Sequence, residues 1–278
     1  MTNFTVQRSP RRLSVSSWSL HRRLGAPPIT GPGNGEEIAN GHDLKALLAL
    51  PGRLPALGIH TLELCHFHLP SRDPGYLREL ATAMKQAGVS LFSFLVDGGD
   101  ITDPDTGERD VAWIAAWMPA AEALGASRMR IIAGKQPPSE AALQLSLDRM
   151  GTLADQAAGR GIRLMTENWF PLLSTPQLVH RLLEGLDGAV GLCLDFGNWS
   201  GEDKYERLEK IAPLAESCHA KAAFDEAGEM DRADYERCLD LLDGAGFQGP
   251  YTLIFDSPAL PEEEGLRLEA GIVRERIS

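Results

Sequence analysis

Residues 139–168, "SEAALQLSLDRMGTLADQAAGRGIRLMTEN", contain the repeating unit from which the fold is inferred. The first part is a long helical pattern that closes on Gly161, the residue type that most often stops a helix. The run "IRLMTEN" (162–168) then indicates a short buried strand. A helix that turns through a glycine into a strand is typical of a βα repeat around a parallel sheet.

The same alternation continues on both sides of this unit, and Gly88 and Gly125 close other helices in the same way. Eight strands are predicted, over residues 12–18, 60–65, 89–96, 128–134, 162–168, 190–196, 217–223 and 251–256. Because the rhythm has no break and no linker, the sequence predicts a single-domain (β/α)8 TIM barrel over residues 12–278. Residues 1–11 are expected to be a flexible N-terminal tail.

A Gly- and Pro-rich stretch, "GAPPITGPGNGEEIANG" (25–41), follows the first predicted strand. It is longer than an ordinary connection in a compact domain. Two interpretations stay open for it, a lid or substrate wall at the active end of the barrel and a mobile insertion.

Composition restricts the class of protein. The chain has 278 residues, of which 43% are hydrophobic and 24% charged, as in a soluble globular protein with a substantial core. A formal charge of −12 disfavours nucleic acid as a partner. There is no apolar run long enough for a membrane span or a signal peptide, so a cytoplasmic protein is expected. The cysteines lack CxxC spacing and are expected to be buried free thiols: Cys65, Cys193, Cys218 and Cys238.

Polar side chains are predicted on four consecutive strands, toward the rim where barrel active sites lie. Glu167, Asp195 and Asp256 end strands 5, 6 and 8, and His219 lies in the middle of strand 7. Each acid alone is explained by a helix cap or a strand end, but four on one rim need compensation, because an unpaired buried carboxylate is costly. One divalent cation would satisfy them all. Three carboxylates and one imidazole suit Mn²⁺ or Mg²⁺, with Co²⁺ and Zn²⁺ also open.

Four short motifs, "TENW", "LCLDFGNW", "CHAKA" and "GPYTLIFD", resemble those of the xylose isomerase-like barrel superfamily of sugar (phosphate) isomerases and epimerases. The resemblance implies that Glu167, Asp195 and His219 are metal ligands and that a carboxylate of strand 8 is the fourth. Family relatives are often oligomeric, so a homo-oligomer is an open expectation.

Two positions depart from that pattern. Ile254 stands where relatives often carry the strand-8 glutamate, and Asp256 follows two residues later. Two residues return a strand side chain to the same face, so Asp256 is expected to point inward about 6.6 Å nearer the rim. Either it reaches the ion or the site lacks a fourth carboxylate. Asn198 stands where many relatives have a histidine, which disfavours a DNA-repair nuclease.

The sequence-based mechanism is a proton transfer through an enediolate on a small hydroxy-carbonyl substrate, a sugar or keto acid. Glu167 and Asp256 are the predicted acid/base pair. Lys221 is predicted to stabilise the oxyanion, with a structural salt bridge to Asp195 or Glu167 as the alternative.

Further side chains near the strand ends are candidates for substrate binding, each with a structural alternative. They are His66, His68, Asn198, Trp18 and Trp169. Glu63 is expected to make a structural hydrogen bond inside the barrel, and Asp97 and Asp100 to form a turn.

Three functional hypotheses follow. The favoured one is a metal-dependent sugar isomerase or epimerase. The second is another metal-dependent enzyme on the same barrel, a dehydratase or hydrolase. The third is a barrel that binds a ligand without catalysis, which Ile254 motivates.

Overall fold

The architecture is a closed barrel of eight parallel strands whose order in the sheet is their order in the chain. It is seen in a computed structural model that describes residues 11–25, 31–33 and 44–277. The predicted single-domain (β/α)8 barrel is confirmed. The strands are β1 Arg12–Ser16, β2 Thr61–Cys65, β3 Ser90–Val96, β4 Arg128–Ile131, β5 Arg163–Glu167, β6 Val190–Asp195, β7 Ala215–Ala220 and β8 Pro250–Leu253.

Helices connect the strands and form the outer layer. In the described part of the chain they are α1 Leu44–Ala49, α2 Pro74–Ala87, α3 Gly107–Ala115, α4 Met118–Ala123, α5 Glu140–Ala158, α6 Pro176–Gly185, α7 Lys204–Ile211, α8 Arg232–Gly244 and α9 Glu262–Ile277. Short 3-10 helices follow β1 at Ser17–Leu20 and β2 at His66–His68.

The helix-glycine-strand unit of residues 139–168 forms as expected. Ser139 caps α5, since its side chain accepts a hydrogen bond from the Ala142 N–H. The helix ends at Ala158, and Gly161 then adopts a positive φ of 74° that turns the chain into β5.

Two predicted segments fall largely outside the described residues. They are the N-terminal tail 1–11 and the stretch 25–41. Arg11, the last residue of the predicted tail, is described: its Nε donates to the Phe247 carbonyl, and its guanidinium pairs with Asp243 at 3.0 Å.

Strand 8 is shorter than predicted. The ladder ends at Leu253 because the Phe255 N–H donates to the Ser19 hydroxyl instead of a neighbouring strand. Asp256 therefore lies in the connection after the strand. Strand 7 likewise ends at Ala220, so Lys221 also lies just past its strand.

The main core fills the space between the sheet and the helices, with fully buried side chains such as Val15, Phe94, Trp117 and Leu192. All four cysteines are free and buried, as expected. Within the residues that the structure covers, no helix has the length and apolarity needed to cross a membrane.

The packing of α9 against the barrel gives the first prediction. A Cβ at Gly265 would lie 2.1 Å from the Phe255 ring, whereas one at Gly271, in the same helix, would meet nothing within 4 Å. We expect Gly265→Ala to lower the free energy of unfolding by about 1–3 kcal/mol through overpacking. Gly271→Ala is expected to raise it by up to about 1 kcal/mol, because alanine favours a helix interior.

Urea denaturation of both variants beside the wild type measures the difference. Equal stability of the two variants would contradict the tight contact between α9 and Phe255.

Candidate functional site

Three predicted metal ligands meet inside the barrel at the carboxyl ends of β5, β6 and β7. Glu167, Asp195 and His219 are each no more than 5% exposed. Glu167 Oε2 lies 3.3 Å from His219 Nδ1, and Asp195 Oδ2 lies 3.6 Å from the same nitrogen. The three donor atoms thus face a common space.

The carboxylate of Glu63 fixes the imidazole of His219. Its Nε2 lies 2.9 Å from Glu63 Oε2, and Glu63 Oε1 accepts a hydrogen bond from the Thr252 hydroxyl at 2.9 Å. Glu63 therefore makes the structural hydrogen bond expected of it. A proton on Nε2, shared with Glu63, leaves Nδ1 facing the two other acids, which is the arrangement of a histidine ligand supported by an outer carboxylate.

Backbone and amide groups fix the two other carboxylates. Asp195 Oδ1 accepts from the N–H groups of Gly197 and Asn198 at 2.6 and 2.7 Å. The Asn198 amide donates to Glu167 Oε1 at 2.5 Å. Asn168 ties the two strand ends together, since its side chain bonds both the N–H and the carbonyl of Asp195. One oxygen of each carboxylate is thus engaged and the other faces His219.

A buried arginine that the sequence analysis did not select completes the site. Arg130, on β4, is 4% exposed and forms ion pairs with Asp97 and, at 3.1 Å from its Nε, with Glu167 Oε2. The Trp169 ring covers its guanidinium at 5.5 Å. A charged residue within a strand that is otherwise buried was the available signal, because a buried charge requires partners.

The surrounding charges set the ionisation of the cluster. Burial alone would raise the pKa of Glu167, but Arg130 and His219 outweigh it and lower the pKa to about 2. Burial alone would lower the pKa of His219, but the neighbouring carboxylates of Glu167 and Asp195 raise it well above its usual value, so an ion bound at Nδ1 would displace a proton from the ring. Glu167 is therefore a carboxylate throughout the neutral range.

The donor set fits a divalent cation. Octahedral ligands at about 2.1 Å from an ion lie about 3 Å from their neighbours, close to the separations of Glu167 and Asp195 from His219 Nδ1. Glu167 Oε2 is buried and forms ion pairs with Arg130 and His219 but no hydrogen bond of good geometry, so it keeps lone-pair capacity for an ion.

Cys193 also lies in this group, since donor atoms of Glu167, Cys193 and His219 are within 4.8 Å of one another. Burial raises the pKa of the Cys193 thiol, which keeps it protonated at neutral pH. A neutral thiol is a poor ligand for Mg²⁺ or Mn²⁺, and Asp195 is the better third donor.

Asp256 and Lys221 lie together at the rim and form their own ion pair. Lys221 Nζ is 3.2 Å from Asp256 Oδ2, and both side chains are more than a third exposed. Lys221 thus forms a structural salt bridge, but its partner is Asp256 and not the predicted Asp195 or Glu167. Ile254, at the family's glutamate position, is 6% exposed.

The remaining candidates divide between the site and the packing around it. Trp169 and Asn198 contact the charged cluster, as described above. His66 is fully buried, packs edge-on against Trp113 and Trp117, and its Nδ1 accepts from the Asp97 N–H.

His68 and Trp18 lie between the ends of β1 and β2. His68 is 3% exposed, and its Nδ1 lies 2.8 Å from the Ser17 hydroxyl. Trp18 is half-buried and meets Phe67 edge-on at 6.0 Å. Of the two expected turn formers, Asp100 accepts hydrogen bonds from Thr102 and Lys135, whereas Asp97 pairs with Arg130.

Phe170, next to Trp169, has an unusual backbone. Its φ of 61° and ψ of 168° lie in a region occupied almost only by glycine. Such a conformation costs about 1–3 kcal/mol and is found mainly at functional sites.

The chain belongs to the xylose isomerase-like TIM barrel family, whose model matches residues 53–276. This confirms the family predicted from the four motifs. No curated protein matches the chain.

Solved structures share the fold at low sequence identity. A xylose isomerase-like TIM barrel protein from Mycobacterium smegmatis, in complex with magnesium, is 18% identical over 99% of this chain and 100% of its own, with a TM-score of 0.68. A D-allulose 3-epimerase from Methylomonas sp. is 14% identical over 97% of both chains, with a TM-score of 0.69. A probable 3-DHS dehydratase of petrobactin synthesis from Bacillus anthracis is 14% identical over 95% of this chain and 99% of its own, with a TM-score of 0.70.

The buried ion pairs of Arg130 give the second prediction. In the metal-free protein, Arg130→Met leaves Asp97 and Glu167 buried beside an apolar side chain, so we expect the free energy of unfolding to fall by about 3–5 kcal/mol. Arg232→Met is the matched control, because it breaks an exposed i,i+4 pair with Glu236. The control should cost about 0.5 kcal/mol or less.

Chemical denaturation in the presence of a chelator measures both variants. A loss for Arg130→Met no larger than for the control would contradict the role of Arg130 as the counter-charge of the cluster.

Proposed function

We propose that this protein is a divalent-metal-dependent isomerase or epimerase acting on a small hydroxy-carbonyl substrate. The observation that carries the proposal is the convergence of Glu167 Oε2 and Asp195 Oδ2 on His219 Nδ1, at 3.3 and 3.6 Å, inside the mouth of the barrel. The sugar epimerases among the structural neighbours support it as precedents on the same fold.

Glu167, Asp195 and His219 would hold the ion, and Mg²⁺ or Mn²⁺ suits this oxygen-rich set best. Once bound, the ion would polarise the substrate carbonyl and make the neighbouring C–H more acidic. Asp256 would be a fourth ligand only after separating from Lys221, so its contribution depends on a rearrangement at the rim.

In this proposal the protein's own residues move the proton. Glu167 is the base, because it is ionised at neutral pH and the Asn198 amide and Arg130 fix its orientation. Asp256 is the proposed second carboxylate, on the other side of the substrate. Lys221, which pairs with Asp256, is the proposed group that stabilises a developing oxyanion.

Ile254 favours a second candidate function, that of a dehydratase. Ile254 is apolar and stands at the family's strand-8 carboxylate position. Glu167 is therefore the one buried carboxylate base that β5 and β8 together present to the cluster. A β-elimination needs one base and a leaving hydroxyl, whereas an epimerisation needs two groups on opposite faces. A dehydratase is also among the structural neighbours.

The homo-oligomer and the cytoplasmic location stay expectations from the sequence.

Metal binding is the third prediction. We expect one Mn²⁺ per chain by calorimetric titration and its loss in Asp195→Asn. Glu63→Gln should weaken Mn²⁺ binding about 10- to 100-fold, since it removes the charge that orients His219 and raises its basicity.

Glu184→Gln is the matched control for Glu63→Gln, since Glu184 lies on the surface with its side chain 76% exposed. Unchanged affinity in Glu63→Gln would contradict the support of a ligating His219 by the Glu63 carboxylate. Failure of the wild type to take up Mn²⁺ would exclude both metal-dependent functions.

Proton abstraction is the fourth prediction. We expect the Mn²⁺-loaded protein to exchange substrate C–H hydrogen for solvent deuterium in at least one member of a panel of ketoses and keto acids. Glu167→Gln should slow the exchange about 10²- to 10⁴-fold, because the variant lacks the general base.

Mass and NMR spectra of the products separate the two candidates. An epimer or isomer with deuterium at the reacting carbon identifies the first, and a product lighter by one water identifies the dehydratase. Exchange that survives in Glu167→Gln at the wild-type rate would rule out Glu167 as the base.

A further inference from the structure

A short row of side chains leads from the charged cluster to the rim of the barrel over strands β4 and β5. Trp169 covers Arg130, the partner of Glu167, and its ring is 4.3 Å from the Phe170 ring. Lys135 Nζ lies 5.1 Å above the Phe170 ring. We call Trp169 and Phe170 the aromatic shelf. It has an ion-pair cluster at its inner end and an ammonium group at its outer end.

The loop that carries Lys135 is fixed in position. The Lys135 N–H donates to Asp100 Oδ1 at 3.0 Å, and the Gln136 side chain donates to Asp100 Oδ2 at 2.8 Å. A Cβ at Gly134 would lie 2.4 Å from Thr102, so the backbone packs closely there. Lys135 is therefore half-buried on a held backbone, unlike a lysine on a mobile surface loop.

Phe170 occupies its place against a backbone preference. Its φ of 61° and ψ of 168° would suit a glycine, yet the position holds an aromatic residue. The ring contacts that the structure gives it are those with Trp169 and Lys135. Strained residues are retained where their placement serves a site, so the ring and the ammonium group above it point to ligand binding.

Lys135 differs from the other cations at this end of the barrel in its partner. Arg130 is neutralised by Asp97 and Glu167, and Lys221 pairs with Asp256. Within the described ranges, Lys135 Nζ meets an aromatic face and no carboxylate. One positive charge beside the shelf thus has no counter-ion among the residues that the structure describes.

We infer that Lys135 binds a carboxylate of the substrate, which makes that substrate an acidic sugar or a keto acid. One ammonium group matches one negative charge, whereas phosphate is usually bound by several backbone N–H groups or by an arginine fork. The body of the molecule lies on the aromatic shelf, and its hydroxy-carbonyl end faces Glu167. This last assignment rests on the proposed function, while the binding of the anion by Lys135 does not.

The experiment compares three ketohexoses that differ only at carbon 6. They are D-fructose, D-fructuronate and D-fructose 6-phosphate, which carry a hydroxymethyl, a carboxylate and a phosphate ester there. We expect the Mg²⁺-supplied protein to bind D-fructuronate about 10- to 100-fold more tightly than D-fructose by calorimetry, the gain of one charged hydrogen bond.

Two substitutions locate the effect. Lys135→Met should reduce the affinity for D-fructuronate to that for D-fructose and leave the latter unchanged. Lys85→Met, at an exposed lysine of α2, is the matched control and should change neither. Phe170→Gly, which suits the backbone, should keep the melting temperature and weaken the binding of all three ligands alike, because it removes one ring of the shelf and not the charge.

The inference is overturned if the carboxylate brings no gain, if Lys135→Met keeps it, or if the phosphate ester binds more tightly than the carboxylate. Its failure is distinguishable from failure of the proposed function. Binding of D-fructuronate that depends on Lys135, with no Glu167-dependent C–H exchange in any ligand, leaves the anion site and removes the isomerase. Glu167-dependent exchange with no effect of Lys135→Met supports the proposed function and removes the anion site.

Discussion

The need to compensate charges buried inside the barrel organises this structure. Glu63, Glu167 and Asp195 project inward, where an unpaired carboxylate is costly. His219 stands between all three. Arg130, on the neighbouring strand β4, forms ion pairs with both Glu167 and Asp97. Removing any one member leaves another charge without a partner, so the cluster behaves as a unit.

Barrel closure brings these groups together although they are far apart in the chain. Parallel strands that close into a ring present every second side chain to the interior, and their carboxyl ends meet at one rim. The register pairs Asp195 with His219 and Glu167 with Cys193, so adjacent strands deliver their polar residues at similar heights. Glu63 reaches His219 from β2, across the interior of the barrel.

The difference between the interior and the rim explains the departure from the family pattern at strand 8. Ile254 is buried where a carboxylate would add a further charge to an interior that already holds several. Asp256 lies past the end of β8, where solvent and Lys221 compensate its charge. A two-residue displacement along the chain thus moves an acid from the low-dielectric interior to the rim, and its part in any metal site becomes conditional on movement.

The sequence by itself determined the repeat, the number of strands and three of the interior polar residues. The helix-glycine-strand rhythm is local, and strand alternation fixes which residues share a face, so Glu167, Asp195 and His219 could be selected without coordinates. The tertiary structure decided which groups touch. The pairing of Arg130 with Glu167, the support of His219 by Glu63, the burial of His66 and His68, and the place of Lys135 over Phe170 depend on contacts between distant segments. The end of β8 at Leu253 also belongs to this second group, because it follows from a hydrogen bond between Phe255 and Ser19, residues 236 positions apart.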